Sequence, residues 1–275
     1  TPFGPFINKN HFAGWMLMAI PLAVGVAIGR AEHATKHLRG DWRSLLSWLS
    51  TPEGGRLQLL VMAAVAMGAS LLLTRSRSGV AGLLFSILLF GIAAHRRFRS
   101  ARAGLAALAS LLTIFVAVFV LAGAELTARV TSRLDAVELR KNIWSDSVRI
   151  IRDFPLAGTG LNTFGTAMIR YQTTQRDLHF QEAHNDYLQV VVEGGALLAI
   201  PAAVALVLMV RAVRRRFAAG EDDSRTYWIR TGAAIGLLAI ALQSAVEFSL
   251  QMPGNTALFV VLLAIALHEP GGVHA

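Results

Sequence analysis

The sequence predicts an all-helical integral membrane bundle carrying one large extramembrane loop, and three observations lead there. Hydrophobic residues fill 54% of the 275 positions and charged residues only 16%, where an average soluble domain carries about 25% charged residues. The apolar residues gather in runs close to the roughly 20 residues that cross a bilayer as a helix. The basic residues gather in the links between alternate runs, as they do on the cytoplasmic side of membrane proteins.

In chain order the runs fall at about 12–29, 57–74, 79–95, 104–123, 195–212, 229–250 and 253–268. Pro21 is expected to kink the first, which neighbouring helices tolerate. The last is short and begins at Pro253. The links 30–56, 95–103 and 211–230 hold most of the arginines, including Arg30, Arg43, Arg56, Arg96, Arg97, Arg211, Arg214 and Arg225. Placing these three links in the cytoplasm sends the turns at 75–78 and 251–255 and the long segment 124–186 to the other side; long loops cross whatever their charge. Three regions result: spans one to four over 1–123, an outer loop over 124–186, and spans five to seven with a short tail over 187–275. The chain opens Thr1-Pro2-Phe3-Gly4 with no signal-peptide pattern, and is read as part of a longer protein with earlier spans.

Within the outer loop, residues 134–153 have helical amphipathicity, with Val137, Trp144, Val148 and Ile151 on one face. Arg140 and Lys141 border that face, and Asp146 and Arg149 lie away from it. Pro155 ends the helix, Gly158-Thr159-Gly160 turns, Gly165 allows a second turn, and 170–183 reads as an irregular polar excursion.

Composition also excludes. The net charge of +9 could suit nucleic acid, but the basic residues sit between spans and no nucleic-acid motif accompanies them. With no cysteine, disulfides and thiolate metal sites are ruled out. There is no P-loop, no Gly-x-Ser-x-Gly elbow and no Asp-x-Asp. Arginine in the place of a divalent ion fits these residues best, so no metal and no cofactor is expected.

The residues able to carry chemistry fall on the outer side. His184 stands just before a helix start for which Asn185 or Asp186 would be the N-cap. A neutral imidazole there can take a proton; the plainer role is an interfacial hydrogen bond. Arg77, in Ser76-Arg77-Ser78-Gly79, could fork onto phosphate oxygens or snorkel to headgroups, and Arg75 has the same two readings. Arg140 could aim into the bundle or snorkel. Glu247, at the outer end of the sixth run, could orient His184, pair with an arginine or act as a base. The amino-terminal Asn8-Lys9-Asn10-His11 shares this side.

These segments resemble the O-antigen ligase and O-antigen polymerase superfamily of bacterial membrane glycosyltransferases. His184-Asn185, nine residues and then Gly195 is similar to the ligase signature, although Leu198 stands where that pattern has Gly, Thr or Tyr. Phe6 to Gly14 resembles the asparagine-rich start of a span. Thr74 to Gly79 resembles the Ser-Arg-small-Gly turn. Arg140 to Trp144 with Pro155-Leu156-Ala157-Gly158-Thr159-Gly160 resembles the outer-loop pattern.

The resemblance implies a class C glycosyltransferase bundle in the bacterial inner membrane. It implies transfer of a glycan from undecaprenyl diphosphate to lipid A-core, a glycan or a protein at the periplasmic face, without metal. His184 would be the essential histidine, with Arg77 and Arg140 the phosphate-binding arginines; Arg149 competes with Arg140. Arg75, Asn185 and Glu247 complete the expected site. A transporter of lipid-linked glycans is the alternative of another class, and product formation separates the two.

Overall fold

A computed structural model describes residues 3–35, 42–97, 131–220 and 222–269, and the run expected at 104–123 lies outside them. The helices are α1 (Lys9–Thr35), α2 (Trp42–Leu49), α3 (Pro52–Leu73), α4 (Arg77–Arg97), α5 (Thr131–Asp153), α6 (Phe164–Tyr171), α7 (Asp186–Ala219), α8 (Ser224–Ser244) and α9 (Pro253–Leu267). A single 3-10 turn, Ser249–Gln251, links α8 to α9, and there is no strand among the described residues. Among the described residues four helices are long and apolar enough to cross a membrane: α1, α3, α4 and α7. The fold is therefore all-helical and multi-span.

Close backbone approach holds the bundle together. Apolar side chains gain little by leaving lipid, so helix association there depends on packing through small residues. The pair α1 and α8 is built this way: a Cβ on Gly25 would meet the Trp228 carbonyl oxygen at 2.3 Å, and one on Gly232 would meet the Pro21 carbonyl oxygen at 2.4 Å. α1 passes through Pro21 as one continuous helix. Leu17, Ile20, Leu71, Leu72, Leu83 and Ala239 pack where α1, α3, α4 and α8 meet. Met18, Ala233, Ile240, Leu262 and Ala266 join α1 and α8 to α9. The outer faces of α3 and α7 expose Leu59, Met62, Leu197, Ile200 and Leu208, surface that suits a lipid solvent.

The outer loop has a core of its own: Ile143, Ile150, Phe164, Met168, Ala183 and Val192. Water is the alternative solvent there, so each buried aliphatic or aromatic side chain contributes about 1.5–3 kcal/mol. This core corrects the expected face of the 134–153 helix. Ile143 and Ile150 are its buried stripe, Trp144 and Ile151 flank it, and Val148 is 42% exposed; the Val137 side chain lies outside the described residues. Asp146, expected to face away, is buried because its carboxylate accepts from the Thr173 N–H and hydroxyl.

Three boundaries also differ. Gly165 lies inside α6 rather than in a turn. The sixth run ends as a helix at Ser244, so Glu247 stands beyond it in a turn. The fifth starts at Asp186 and is broken at Gly195, whose φ of 55° and ψ of −158° are not helical.

Candidate active site at one end of the bundle

Glu247 is the point on which distant segments meet. The turn after α8, in which the Glu247 N–H donates to the Gln243 carbonyl, carries its carboxylate inward until the residue is only 2% exposed. Oε1 accepts from Arg140 Nη2 at 2.7 Å and from Asn10 Nδ2 at 2.9 Å. Oε2 lies 3.6 Å from His184 Nδ1, just beyond hydrogen-bond length. One carboxylate thus gathers the start of α1, the middle of α5 and the start of α7.

Neighbouring side chains hold this arrangement. Gln243 Nε2 donates to the Asn10 carbonyl at 3.1 Å and to Ser78 Oγ at 3.4 Å. Asn255 Nδ2 donates to the His11 carbonyl at 3.1 Å and the Ser249 carbonyl at 2.9 Å. The Phe248 ring stands edge-on to both His11 and His184, with centroids 4.5 and 5.1 Å away.

His184 is positioned from both flanks. Trp144 Nε1 donates to the Ala183 carbonyl at 2.9 Å, and the Ala183 N–H donates to Gln189 Oε1 at 3.0 Å. Asn185 is the N-cap of α7, its Oδ1 accepting from the Leu188 N–H at 3.0 Å. Asp186, the other expected cap, instead accepts from Gln251 Nε2 and the Leu250 N–H, tying α7 to the 3-10 turn. His184 itself has a φ of 50°. A non-glycine residue held there costs on the order of 1–3 kcal/mol, and such residues concentrate at functional sites. Glu182 lies just upstream; burial raises its carboxyl above the ordinary carboxylate range, against the Gln189 amide that donates to it.

The Pro-Leu-Ala-Gly-Thr-Gly segment also has its reason here. The break at Gly195 frees backbone groups of α7, and this loop takes them up. The Thr159 and Gly160 N–H groups donate to the Val192 and Glu193 carbonyls, and the Ala196 and Leu197 N–H groups donate to the Pro155 and Leu156 carbonyls. The Glu193 side chain adds a second clamp by accepting from the Asn162 and Phe164 N–H groups at 2.9 and 3.2 Å.

Unpartnered buried atoms gather around the same point. His11 Nε2, His184 Nδ1, Gln243 Oε1, Glu247 Oε2 and Asn255 Oδ1 are buried without a hydrogen-bond partner among the described residues. Buried polar atoms are ordinarily paired, and an exception calls for an explanation. Several in one place mark a site with binding capacity in reserve.

Of the expected site residues, the structure brings His184, Asn185, Arg140 and Glu247 together. Arg149 does not join them: it is half exposed and lies 3.8 Å from Asp146 on its own helix. Arg77 opens α4 beside Ser76, whose Oγ accepts from the Gly79 N–H, and Ser78, which reaches Gln243. Arg77 and Arg75 are exposed, and Arg75 has a φ of 54°. A Cβ on Gly79 would lie 2.9 Å from that of Ala13, so this glycine lets the turn sit against α1. Among the described residues, no three His, Asp or Glu side chains are grouped to hold a metal ion.

Glu247→Gln tests the hub. The amide keeps its shape but removes the charge facing Arg140 and His184. A loss of about 1–3 kcal/mol is expected for disturbing buried charge-assisted bonds, read as a fall in thermal stability in detergent. Unchanged stability would show that the carboxylate holds nothing together.

Four described helices long and apolar enough to cross a bilayer, with a polar cluster at one end of the bundle, define a multi-pass membrane protein. The O-antigen ligase family model (Wzy_C) matches residues 62–203, slightly over half of the chain, and the chain belongs to that family. Its role is accordingly glycosyltransferase-like, with the bilayer and glycan-related molecules as partners. No curated protein matches the chain in sequence.

Asn10, His11, Gln243 and Phe248 take part in the cluster but were not among the expected site residues. Only their sidedness could have suggested them. Glu193 left a clearer signal, as a lone acid beside Gly194-Gly195 at the edge of an apolar run.

Proposed function

We propose that the chain is the catalytic part of a metal-independent, inverting glycosyltransferase. It moves a glycan from undecaprenyl diphosphate to an acceptor hydroxyl at the periplasmic face of the inner membrane. The observation that carries the reading is the meeting of the His184 imidazole, the Glu247 carboxylate and the Arg140 guanidinium, with Glu247 within 4 Å of both partners.

His184 takes the proton of the acceptor hydroxyl as that oxygen bonds to the anomeric carbon. The bond from that carbon to the phosphate oxygen breaks on the opposite face, and undecaprenyl diphosphate leaves with the electron pair. A single displacement inverts the centre, by the geometry that governs inverting hydrolases. Glu247 orients the imidazole through Nδ1, leaving Nε2 for the acceptor, and its 3.6 Å separation is of the loose kind that tightens with substrate. Arg140 spends one donor on Glu247, and its guanidinium has others to offer. With Arg77 it neutralises the charge that develops on the diphosphate. The apolar groove of about 220 Å³ lined by Val24, Val65, Leu72 and Leu83 suits a polyprenyl tail. Lipid A-core, a glycan or a protein remains the acceptor class.

The test is in vitro transfer with purified protein, undecaprenyl-diphosphate glycan and each acceptor in turn. Product with one acceptor, at inverted configuration and in the presence of a chelator, is expected. Movement of the donor across vesicles without product would replace this reading by that of a carrier.

Arg77→Lys should lower transfer by roughly 10-fold or more, because an ammonium lacks the planar fork. Full transfer by this variant would reduce Arg77 to a headgroup anchor.

A further inference from the structure

The opposite end of the bundle holds a second polar feature. Arg30 lies on α1 roughly 29 Å from His11, taking 19 residues at about 1.5 Å each. It lines a cavity of about 350 Å³ together with His33, Trp48, Glu53, Arg56 and Arg225. Four helices contribute: α1, α2, α3 and α8. Among the described residues no carboxylate lies within salt-bridge distance of Arg30, Arg56 or Arg225. Glu53 is the one acid in the lining among the described residues. The nearby Asp223 is engaged as the N-cap of α8; the Thr226 N–H it accepts, first, and then Arg225 and His33 hold its carboxyl below the ordinary range.

Two of these arginines are placed against local electrostatics. Arg56 lies near the start of α3 and Arg225 in the first turn of α8, where the helix macrodipole disfavours a cation and favours an anion. Thr51 and Asp223 already cap N–H groups of those turns, while the guanidinium-bearing residues line one cavity. Other basic residues at this end are differently used: Arg97 pairs with Glu32, Arg230 with Asp222, and Arg216 with Glu269.

The wall carrying Trp48 is held firmly. Thr51 caps α3 and donates its hydroxyl to the Trp48 carbonyl, Gln58 Nε2 donates to the Leu49 carbonyl, and a Cβ on Gly54 would meet the Trp48 carbonyl oxygen at 2.4 Å. α2 is short and amphipathic, with Leu46 half exposed. A Trp-bearing helix of this kind suits the headgroup level of a bilayer.

We propose that this cavity is a phosphate-binding site in the leaflet opposite His184, taking the phosphate of an anionic phospholipid headgroup between Arg30, Arg56 and Arg225. Trp48 covers the glycerol side, and α2 sets the depth.

The test measures binding of phosphatidylglycerol to the purified full chain by native mass spectrometry, with phosphatidylcholine as the uncharged reference. The variant Arg30→Gln/Arg56→Gln/Arg225→Gln is compared with Arg211→Gln/Arg214→Gln/Arg215→Gln, which removes equal charge from exposed positions on α7. Phosphatidylglycerol binding should weaken roughly 100-fold or more in the first variant, which loses three charge-assisted contacts to one phosphate, and less than about twofold in the second, whose side chains are exposed and screened. Arg56→Gln alone, at an exposed position, gives the same comparison should the triple variant lose its fold. Competition by inorganic phosphate at millimolar concentration would make a free phosphate the ligand of the same site; no competition assigns the lipid. Equal loss in both triple variants, or in neither, overturns the proposal, since general attraction between basic links and anionic lipid would then account for all binding.

Discussion

Replacing His184 by alanine is expected to lower glycan transfer by about 10²–10⁴-fold, the usual contribution of a positioned general base. Donor binding should persist, because the proposed phosphate ligands, Arg77 and Arg140, lie on α4 and α5. Alanine alone is an ambiguous probe, because position 184 has a φ of 50° and any change there acts on the backbone as well. His184→Asn resolves this. Asparagine is among the side chains that best tolerate left-handed backbone, so it should fold as well as the parent while accepting no proton near neutral pH. Both variants are expected to lose transfer and to keep the parent melting temperature to within a few degrees. If His184→Asn transfers glycan at more than about a tenth of the parent rate, proton abstraction by this imidazole is not part of the reaction.

The sequence showed the bundle clearly and the site incompletely, for different reasons. The all-helical, multi-span character of the fold follows from hydropathy, which registers over whole segments. Which face of α5 is buried did not follow. Period alone selected Val148, whereas packing against Phe164 and Met168 selected Ile143 and Ile150. Those partners lie in α6, an eight-residue helix too short for a periodic signal to establish. The choice of Arg140 over Arg149 likewise turned on where Glu247 ends up once α8 stops at Ser244. Long-range pairings such as Asn10 with Glu247, 237 positions apart, leave no local pattern. The His-Asn and Gly-x-Gly motifs were visible as motifs, but their reason was not. For Gly-x-Gly it lies in a backbone exchange between two segments that meet only in the fold, and for His-Asn in the cap that Asn185 gives α7 beside Glu247.

That exchange gives the second large effect. Gly195→Ala is expected to abolish transfer and loosen the outer loop, although residue 195 reaches neither His184 nor a substrate. With φ 55° and ψ −158°, Gly195 occupies backbone space almost reserved for glycine, and a side chain there costs on the order of 1–3 kcal/mol before any contact is counted. The contacts are severe: a Cβ would lie 2.4 Å from the Leu156 carbonyl oxygen and 2.5 Å from the Gly158 nitrogen. Neither can retreat without parting the four backbone hydrogen bonds between 155–160 and 192–197. Gly158→Ala meets the same junction from the other side, with a φ of 65° and the Glu193 carbonyl 2.4 Å away, and should behave alike. Gly68→Ala is the contrast, because it lies in α3 away from the junction and a Cβ there would meet nothing within 4 Å. Hydrogen exchange should therefore speed up across 154–164 and 186–197 in the first two variants and change little in the third, with α1 and α8 protected in all. Equal exchange in Gly68→Ala and Gly195→Ala would mean that the loop is not held by this junction, and that His184 takes its place from Trp144 and Gln189 alone.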